Sequence, residues 1–416
     1  MSLIENISRA FRHKNFRGYF LWQFLSFAGT WIQGTAQSWL IYRLTGSAFF
    51  LGLVAFASSL PGLLFSPVSG IVSDRFKKRD VLLTTQILCF IQSVILIFLF
   101  FSGHINKWHI LILSVFIGIA NSFDVTARQT FIPLLVTKEE LLNAIALNSS
   151  MFNGARIIGP ALAGILIAEY GEGPCFVLNA ISYVFFIAFL MVIRVNEQPR
   201  KEVISYFSHF KEGILFAWNN KPIRALLLLL GTFSFWGMSF TTLMPIFSDQ
   251  ILHSGSKGLG ILMGASGIGA VIGGLFLASR QKILGIKKVI AFASLASSVC
   301  ILLFAFSKSF LLSAFLLGLI GFSFLIINAG SNSAMQAIAP EYLRGRIISF
   351  YSMMFIGMFP LGSLTVGCLA HKFGVSTATA VGATVCLIVG LYFSLKVPAL
   401  TKEACIMASS LHQETG

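Results

Sequence analysis

Hydrophobic residues in this chain neither alternate nor recur on one face of a helix. They come in long unbroken runs, separated by short polar connections rich in Lys and Arg. A helix rises ~1.5 Å per residue, so crossing a ~30 Å hydrocarbon layer takes ~20 apolar residues. The runs at 19–42, 49–72, 80–102, 108–131, 141–169, 174–194, 223–248, 258–279, 288–307, 309–336, 344–371 and 375–396 meet that length. They predict an all-α membrane protein with twelve transmembrane helices. One stretch behaves differently. Within 195–222, Val203, Phe207, Phe210, Ile214 and Trp218 recur at helical spacing among Lys and Glu, the pattern of an amphipathic helix lying on a membrane face.

Charge then orients the spans. The amino-terminal arm, alternate loops and tail together hold 24 Lys and Arg, the other loops hold 5, and Arg156 completes the 30. The positive-inside asymmetry places both termini and the 195–222 segment in the cytoplasm. A net charge of +15 could suit nucleic acid, but the basic residues are dispersed over membrane loops, so no nucleic-acid partner is expected. Only 11% of residues are charged, against about a quarter in soluble domains, so the bilayer is the solvent. Six cysteines show neither a Cys-x-x-Cys nor a metal spacing with His, and read as small apolar fillers; no metal is expected. The basic amino-terminal arm resembles the start of a signal peptide, but its apolar run continues to Ile41 without a clear cleavage site and reads as a retained helix.

The chain also repeats itself. Gln129-x-x-x-Pro133 returns as Gln336-x-x-x-Pro340, and Gly159, Gly164 and Gly171 return in order as Gly362, Gly367 and Gly374. Two pseudo-symmetric six-helix bundles follow, 1–194 and 223–397, with an amphipathic cytoplasmic linker at 195–222 and a polar cytoplasmic tail at 398–416. Two related halves joined this way are the architecture of a rocking transporter.

The chemistry concentrates in Asn148–Gly164. Arg156 lies in the middle of the fifth span, ~20 Å of helix from either end. A cation there costs roughly 2.5–3.5 kcal/mol on insertion scales, so it should face protein or a watery cavity. Pro160 removes a helix hydrogen bond, and Gly159 and Gly164 allow close approach of a neighbour, so a bend and a tight packing face are expected there. Arg156 has two open readings, contact with an anionic group of a substrate or bracing of its own helix. Gln33, Gln37, Asn148, Asn153, Asn328 and Asn332 are candidate substrate-binding groups; each could equally be an interhelical hydrogen bond. Asp124 and Arg128, four residues apart, share one helix face.

Several stretches carry a family resemblance. Gly70-I-V-S-Asp74-Arg75-F-K-K-Arg79 resembles the loop between helices 2 and 3 of the major facilitator superfamily, with Lys77 in place of a patterned glycine. A-R-I-I-G-P-A-L-A-G resembles its antiporter motif, with Ala155 and Ala163 replacing two glycines. The stretches at 29–47, 123–133 and 143–150 and R-G-R at 344–346 are similar to the branch containing the enterobactin exporter and macrolide efflux pumps. The similarity runs from about residue 10 to 397. It implies the major facilitator fold and secondary efflux by alternating access. In that family the Asp74 loop links the two halves in the outward-facing state, Asp74 facing the N-terminus of helix 11, an end that favours an anion. Asp74, Arg75 and Arg79 are therefore expected gating residues, with Asp124 and Arg128 as a switchable cluster beside them or as local support.

Two lures fall away. Gly267-x-Gly269-x-x-x-Gly273 imitates a nucleotide loop but lies inside an apolar span with no preceding strand, and reads as helix packing. No phosphate-binding loop and no nucleophile–base constellation occurs, so no ATP-driven pump, enzyme, catalytic residue or cofactor is expected. The expected function is efflux of a small molecule such as a siderophore across the inner membrane by a monomer, with proton antiport implied by the resemblance alone. Asp124 and Asp249 are the nearest proton-carrying candidates. Macrolide or multidrug efflux is the alternative, and a transport-inactive sensor or scaffold the alternative of another class.

Overall fold

The computed structural model describes residues 9–195, 218–280, 285–340 and 343–414, and every regular element among them is helical. After a short turn at Arg9–Arg12 come α1 Lys14–Thr45, α2 Ala48–Arg75, α3 Lys78–Phe101, α4 Lys107–Phe131, α5 Leu141–Tyr170 and α6 Gly173–Val192. Then follow α7 Lys221–Ile251, α8 Gly255–Ala278, α9 Ile286–Phe306, α10 Phe310–Ile338, α11 Arg344–Phe373 and α12 Val375–Glu414. All but α1 are long and apolar enough to cross a membrane. The exception has a physical cause: Gln23, Ser26, Gln33, Thr35 and Gln37 dilute the hydropathy of α1, and all five are buried against other helices. It also begins earlier than its apolar run, because Phe16 and Tyr19 bury while Lys14 and Arg17 leave their charges outside. The amphipathic helix expected over 195–222 lies almost wholly outside the described residues; of its apolar positions only Trp218 is described, exposed, with the Arg224 guanidinium 5.6 Å from its ring centroid.

The chain forms two compact units, residues 1–203 with 245–264, and 204–244 with 265–416. Glycines set the packing inside each. In the first unit a Cβ on Gly118 of α4 would lie 2.5 Å from the Ser58 carbonyl oxygen of α2, and one on Gly159 of α5 would lie 2.4 Å from Trp31 Cβ of α1. Gly164 of α5 and Gly260 of α8 also meet backbone to backbone, which holds the first turns of α8 in this unit. Small residues are how helices associate in lipid, where apolar area alone gives little drive. In the second unit Gly269 and Gly273 of α8 lie against the backbone of Gly318 and Phe322 of α10. The glycine stretch in α8 is helix packing.

The internal repeat is visible as matched geometry. Helices α5 and α11 are each 30 residues long, and each stops at a glycine with positive φ, Gly171 at 76° and Gly374 at 88°. A Cβ on Gly362 would sit 1.9 Å from the Phe235 carbonyl oxygen of α7, as one on Gly159 would collide with α1. The first helices of the halves differ: α1 is continuous, whereas α7 loses regular winding from Phe233 onward, with wide turns at Phe233–Met238 and Phe247–Ile251 around a tight one at Ser239–Leu243.

Candidate functional site

The polar centre of the first unit is built on α4. Asn106 starts that helix by accepting hydrogen bonds from the amides of Trp108 and His109, both at 3.0 Å. Near its other end, Asp124 and Arg128 fall on the face turned to α1, α3 and α6. Arg128 Nε donates to Asp124 Oδ2 at 2.5 Å, and each residue is only 5% exposed. Asp124 Oδ1 accepts from Thr85 Oγ1 at 2.8 Å and Gln86 Nε2 at 2.7 Å, both on α3. The Arg128 guanidinium lies 4.6 Å from the Phe27 centroid of α1 and 4.8 Å from that of Phe186 on α6, and its Nη2 reaches Ser26 Oγ at 3.5 Å. Arg128 Nη1 is buried without a partner among the described residues. The pair is thus buried among α1, α3, α4 and α6. An exposed pair is worth little, whereas breaking a buried one costs several kcal/mol.

A second layer of polar side chains lies further along the same helices. Gln33 Nε2 donates to Gln92 Oε1 at 3.0 Å, and Gln33 Oε1 accepts from Ser93 at 2.8 Å and from Asn179 at 2.9 Å. Gln37 Nε2 donates to Ser114 Oγ at 2.7 Å. These two glutamines therefore tie α1 to α3, α4 and α6, and their hydrogen-bonding groups are committed to protein. Asn148 accepts from Gln23 of α1 at 3.1 Å, and Asn153 donates back to the Ser149 carbonyl at 2.8 Å. In the second unit Asn332 accepts from Gln336 at 2.9 Å, and Asn328 accepts from the Tyr351 hydroxyl. The candidate amides are thus helix-to-helix or within-helix bonds in this state. Gln86, Gln92 and Asn179, which complete the networks, were recognisable as amides inside apolar runs, each too costly to face lipid.

Arg156 stands apart. It is half-buried in α5 and forms no ion pair or hydrogen bond among the described residues. Its guanidinium carbon lies 5.9 Å from the Trp31 centroid, and Trp31 and Phe27 both pack edge-on against Phe152. One turn on, Pro160 lacks the amide hydrogen that the Arg156 carbonyl would otherwise accept, and α5 continues through it to Tyr170. At the Asp74 loop, Asp74 and Arg75 are exposed at the end of α2. Arg79 instead donates to the Leu190 and Met191 carbonyls at 2.6 and 2.7 Å, capping the C-terminus of α6 with positive charge. Asp249 accepts from the Tyr42 hydroxyl at 2.6 Å.

Long apolar helices in two glycine-packed units, with amides and, among the described residues, one ion pair buried on both sides, define a multi-pass membrane protein. The sequence profile of the transmembrane secretion effector family matches residues 8–415, and the chain belongs to this family of the major facilitator superfamily. It is 30% identical over 390 residues to the staphyloferrin A transporter of Staphylococcus aureus, covering 90% of this chain and 95% of that protein. It is 25% identical to the enterobactin exporter EntS of Shigella boydii over 404 residues, covering 95% and 94% of the two chains. With the multidrug efflux pump Tap of Mycolicibacterium fortuitum it shares 26% identity, over 83% and 87%. Among solved structures, the nucleoside transporter NupG superposes with a TM-score of 0.70 at 16% identity, covering 94% of this chain and 99% of that one. That last likeness is one of fold. The protein is a membrane efflux transporter of the major facilitator type.

Proposed function

We propose that the protein exports a siderophore or a similar secreted anionic metabolite out of the cytoplasm, by alternating access with proton antiport, from a bacterial inner membrane and with both termini inside. Arg156 carries this reading. It is a cation halfway along a membrane helix with no protein counter-charge among the described residues, and a carboxylate or catecholate group supplies the missing partner in a fork geometry that guanidinium grips in two places. The similarity to the staphyloferrin A transporter and the enterobactin exporter supports the same class of cargo. The Asp74–Arg75 loop is the gate of this mechanism. A second reading, export of a hydrophobic drug, draws on the aromatic group Phe27, Trp31 and Phe152 beside Arg156 and on the similarity to Tap.

The test is transport into inverted membrane vesicles with an imposed pH gradient, using one anionic siderophore and one neutral macrolide. Arg156→Lys keeps the charge and loses the fork, so apparent affinity for the siderophore should fall while the macrolide is unaffected. Asp74→Asn should slow both at matched protein level. Equal losses for the two compounds in Arg156→Lys, with a lowered melting temperature, would make Arg156 a brace for α5 and remove it from the binding site.

A further inference from the structure

Antiport needs a group that carries a proton in one state and not in another. Among the described residues two carboxylates are buried: Glu172, at the N-cap of α6 and held by the exposed Arg43, and Asp124, which lies inside a spanning helix. We infer that Asp124 is the proton-binding site of this transporter, loaded from a groove between α2, α3 and α4, and that its charge sets how firmly Arg128 holds α4 to α1 and α6. The inference rests on the antiport reading above.

The hydrogen bonds around Asp124 suit both protonation states. Thr85 has one hydroxyl hydrogen and two acceptors within reach, Asp124 Oδ1 at 2.8 Å and its own Leu82 carbonyl at 2.9 Å. When Asp124 is a carboxylate, Thr85 donates to it. When Oδ1 takes a proton, Thr85 turns its hydrogen to Leu82 and accepts from the new O–H, so neither the hydroxyl nor the carboxyl loses its partner. Gln86 can donate to Oδ1 in either state.

A cavity also reaches toward the site. Thr85 lines a cavity of about 310 Å³ whose wall is mostly apolar, including Val72, Phe76, Val81, Leu88 and Ile119, with Asp80 and Thr84 as its other polar residues. Asp80, in the first turn of α3, is exposed at its mouth. In this proposal a proton that enters beside Asp80 needs only the Thr85 hydroxyl to reach Asp124.

The consequence of loading falls on Arg128. Neutral Asp124 no longer balances the guanidinium, which remains between Phe27 of α1 and Phe186 of α6 with Nη1 unpartnered. The other titratable groups facing the site are Tyr19 on α1, Cys89 on α3 and Tyr183 on α6. From α2 come Ser69 and Ser73, bonded to Thr126 and Thr130 on a different face of α4. Arg128 is thus the cation that answers a change at Asp124. In the repeat, Ser331 and Met335 stand at the corresponding positions, so the device belongs to one half. Asp249 is half-buried and bonded to Tyr42, with no ion pair among the described residues.

The experiment is infrared difference spectroscopy between acid and alkaline pH on the purified full-length protein, reading the C=O stretch of a buried protonated carboxyl group, beside vesicle transport. The wild type should show a titrating band that disappears in Asp124→Asn and persists in Asp249→Asn. Thr85→Val should move the band, because the acid loses the oxygen that accepts its O–H. In vesicles, Asp124→Asn should lose uphill export driven by the pH gradient and retain downhill exchange. If Asp124→Asn does not fold, the Thr85→Val band decides: an unmoved band overturns the assignment. A band unchanged in folded Asp124→Asn, or intact gradient-driven export by that variant, also overturns it. A wild type that exports without any response to the pH gradient would instead defeat the antiport reading.

Discussion

In the N-terminal half, α1, α3, α4 and α6 bury amides, a carboxylate and a guanidinium: Gln23, Gln33, Gln86, Gln92, Asn179, Asp124 and Arg128. In the C-terminal half, the buried polar side chains within the described helices are mainly serines, such as Ser234, Ser294, Ser298 and Ser331, set in an apolar core around Ile290, Ile326, Phe350 and Phe393. Most of those serines bond to carbonyls on their own or a neighbouring helix, as Ser294 and Ser298 do to Ala291 and Ser294 and Ser234 to Phe355. Two halves of one repeat thus reach similar packing by different means. A serine can be satisfied locally, whereas an amide or charge must find a partner on another helix. The N-terminal half has its helices tied by bonds between side chains of different helices, the C-terminal half mainly by bonds from serines to the backbone.

The contrast can be broken most severely at Arg128. Arg128→Met installs the C-terminal half's residue and leaves Asp124 buried without its cation, a loss of about 3–5 kcal/mol for a broken buried pair. Folded yield and melting temperature should fall sharply. Adding Asp124→Ser, so that both positions copy Ser331 and Met335, should recover much of the loss while abolishing coupled transport. If the double variant is as unstable as the single, the two halves do not share an interchangeable core.

The glycines test what the halves have in common. Gly362→Ala drives a methyl against the Phe235 backbone and Gly159→Ala drives one against Trp31 Cβ. Each should cost ~1–3 kcal/mol by overpacking, the C-terminal variant more, since main chain yields less than a side chain. Equal thermal stability of either variant and the wild type would show that these crossings are loose.

Gln33→Leu gives the smallest change. It removes bonds to Gln92, Ser93 and Asn179, and interhelical bonds in membrane proteins average ~0.6 kcal/mol, so about 1–2 kcal/mol of stability should go. A drop in melting temperature with proportionate loss of transport fits a structural tie. Weakened substrate affinity with unchanged stability would return Gln33 to the binding site.

Much of this protein could be read before any contact was known. Hydrocarbon thickness sets run length, so α5 and α12 begin where their apolar runs begin, and most other boundaries move only by a turn. The repeat of Gly159 and Gly171 at Gly362 and Gly374 announced two halves, because a glycine needed for close approach or for positive φ has few substitutes. Arg156 was conspicuous because a lone cation in an apolar run is costly wherever it faces. What only the tertiary structure decided is which polar groups meet. Asp124 and Arg128 could be placed on one helix face, as a switchable cluster or as local support, but their burial comes from Thr85, Gln86 and Phe186 on other helices. Arg79 was expected at the gate, and only the fold shows that it donates to carbonyls of α6, more than a hundred residues away. Local sequence governs winding and length through interactions a few residues apart. The pairing of buried polar groups depends on helix rotation and neighbour choice, and those are fixed only when all the helices pack together.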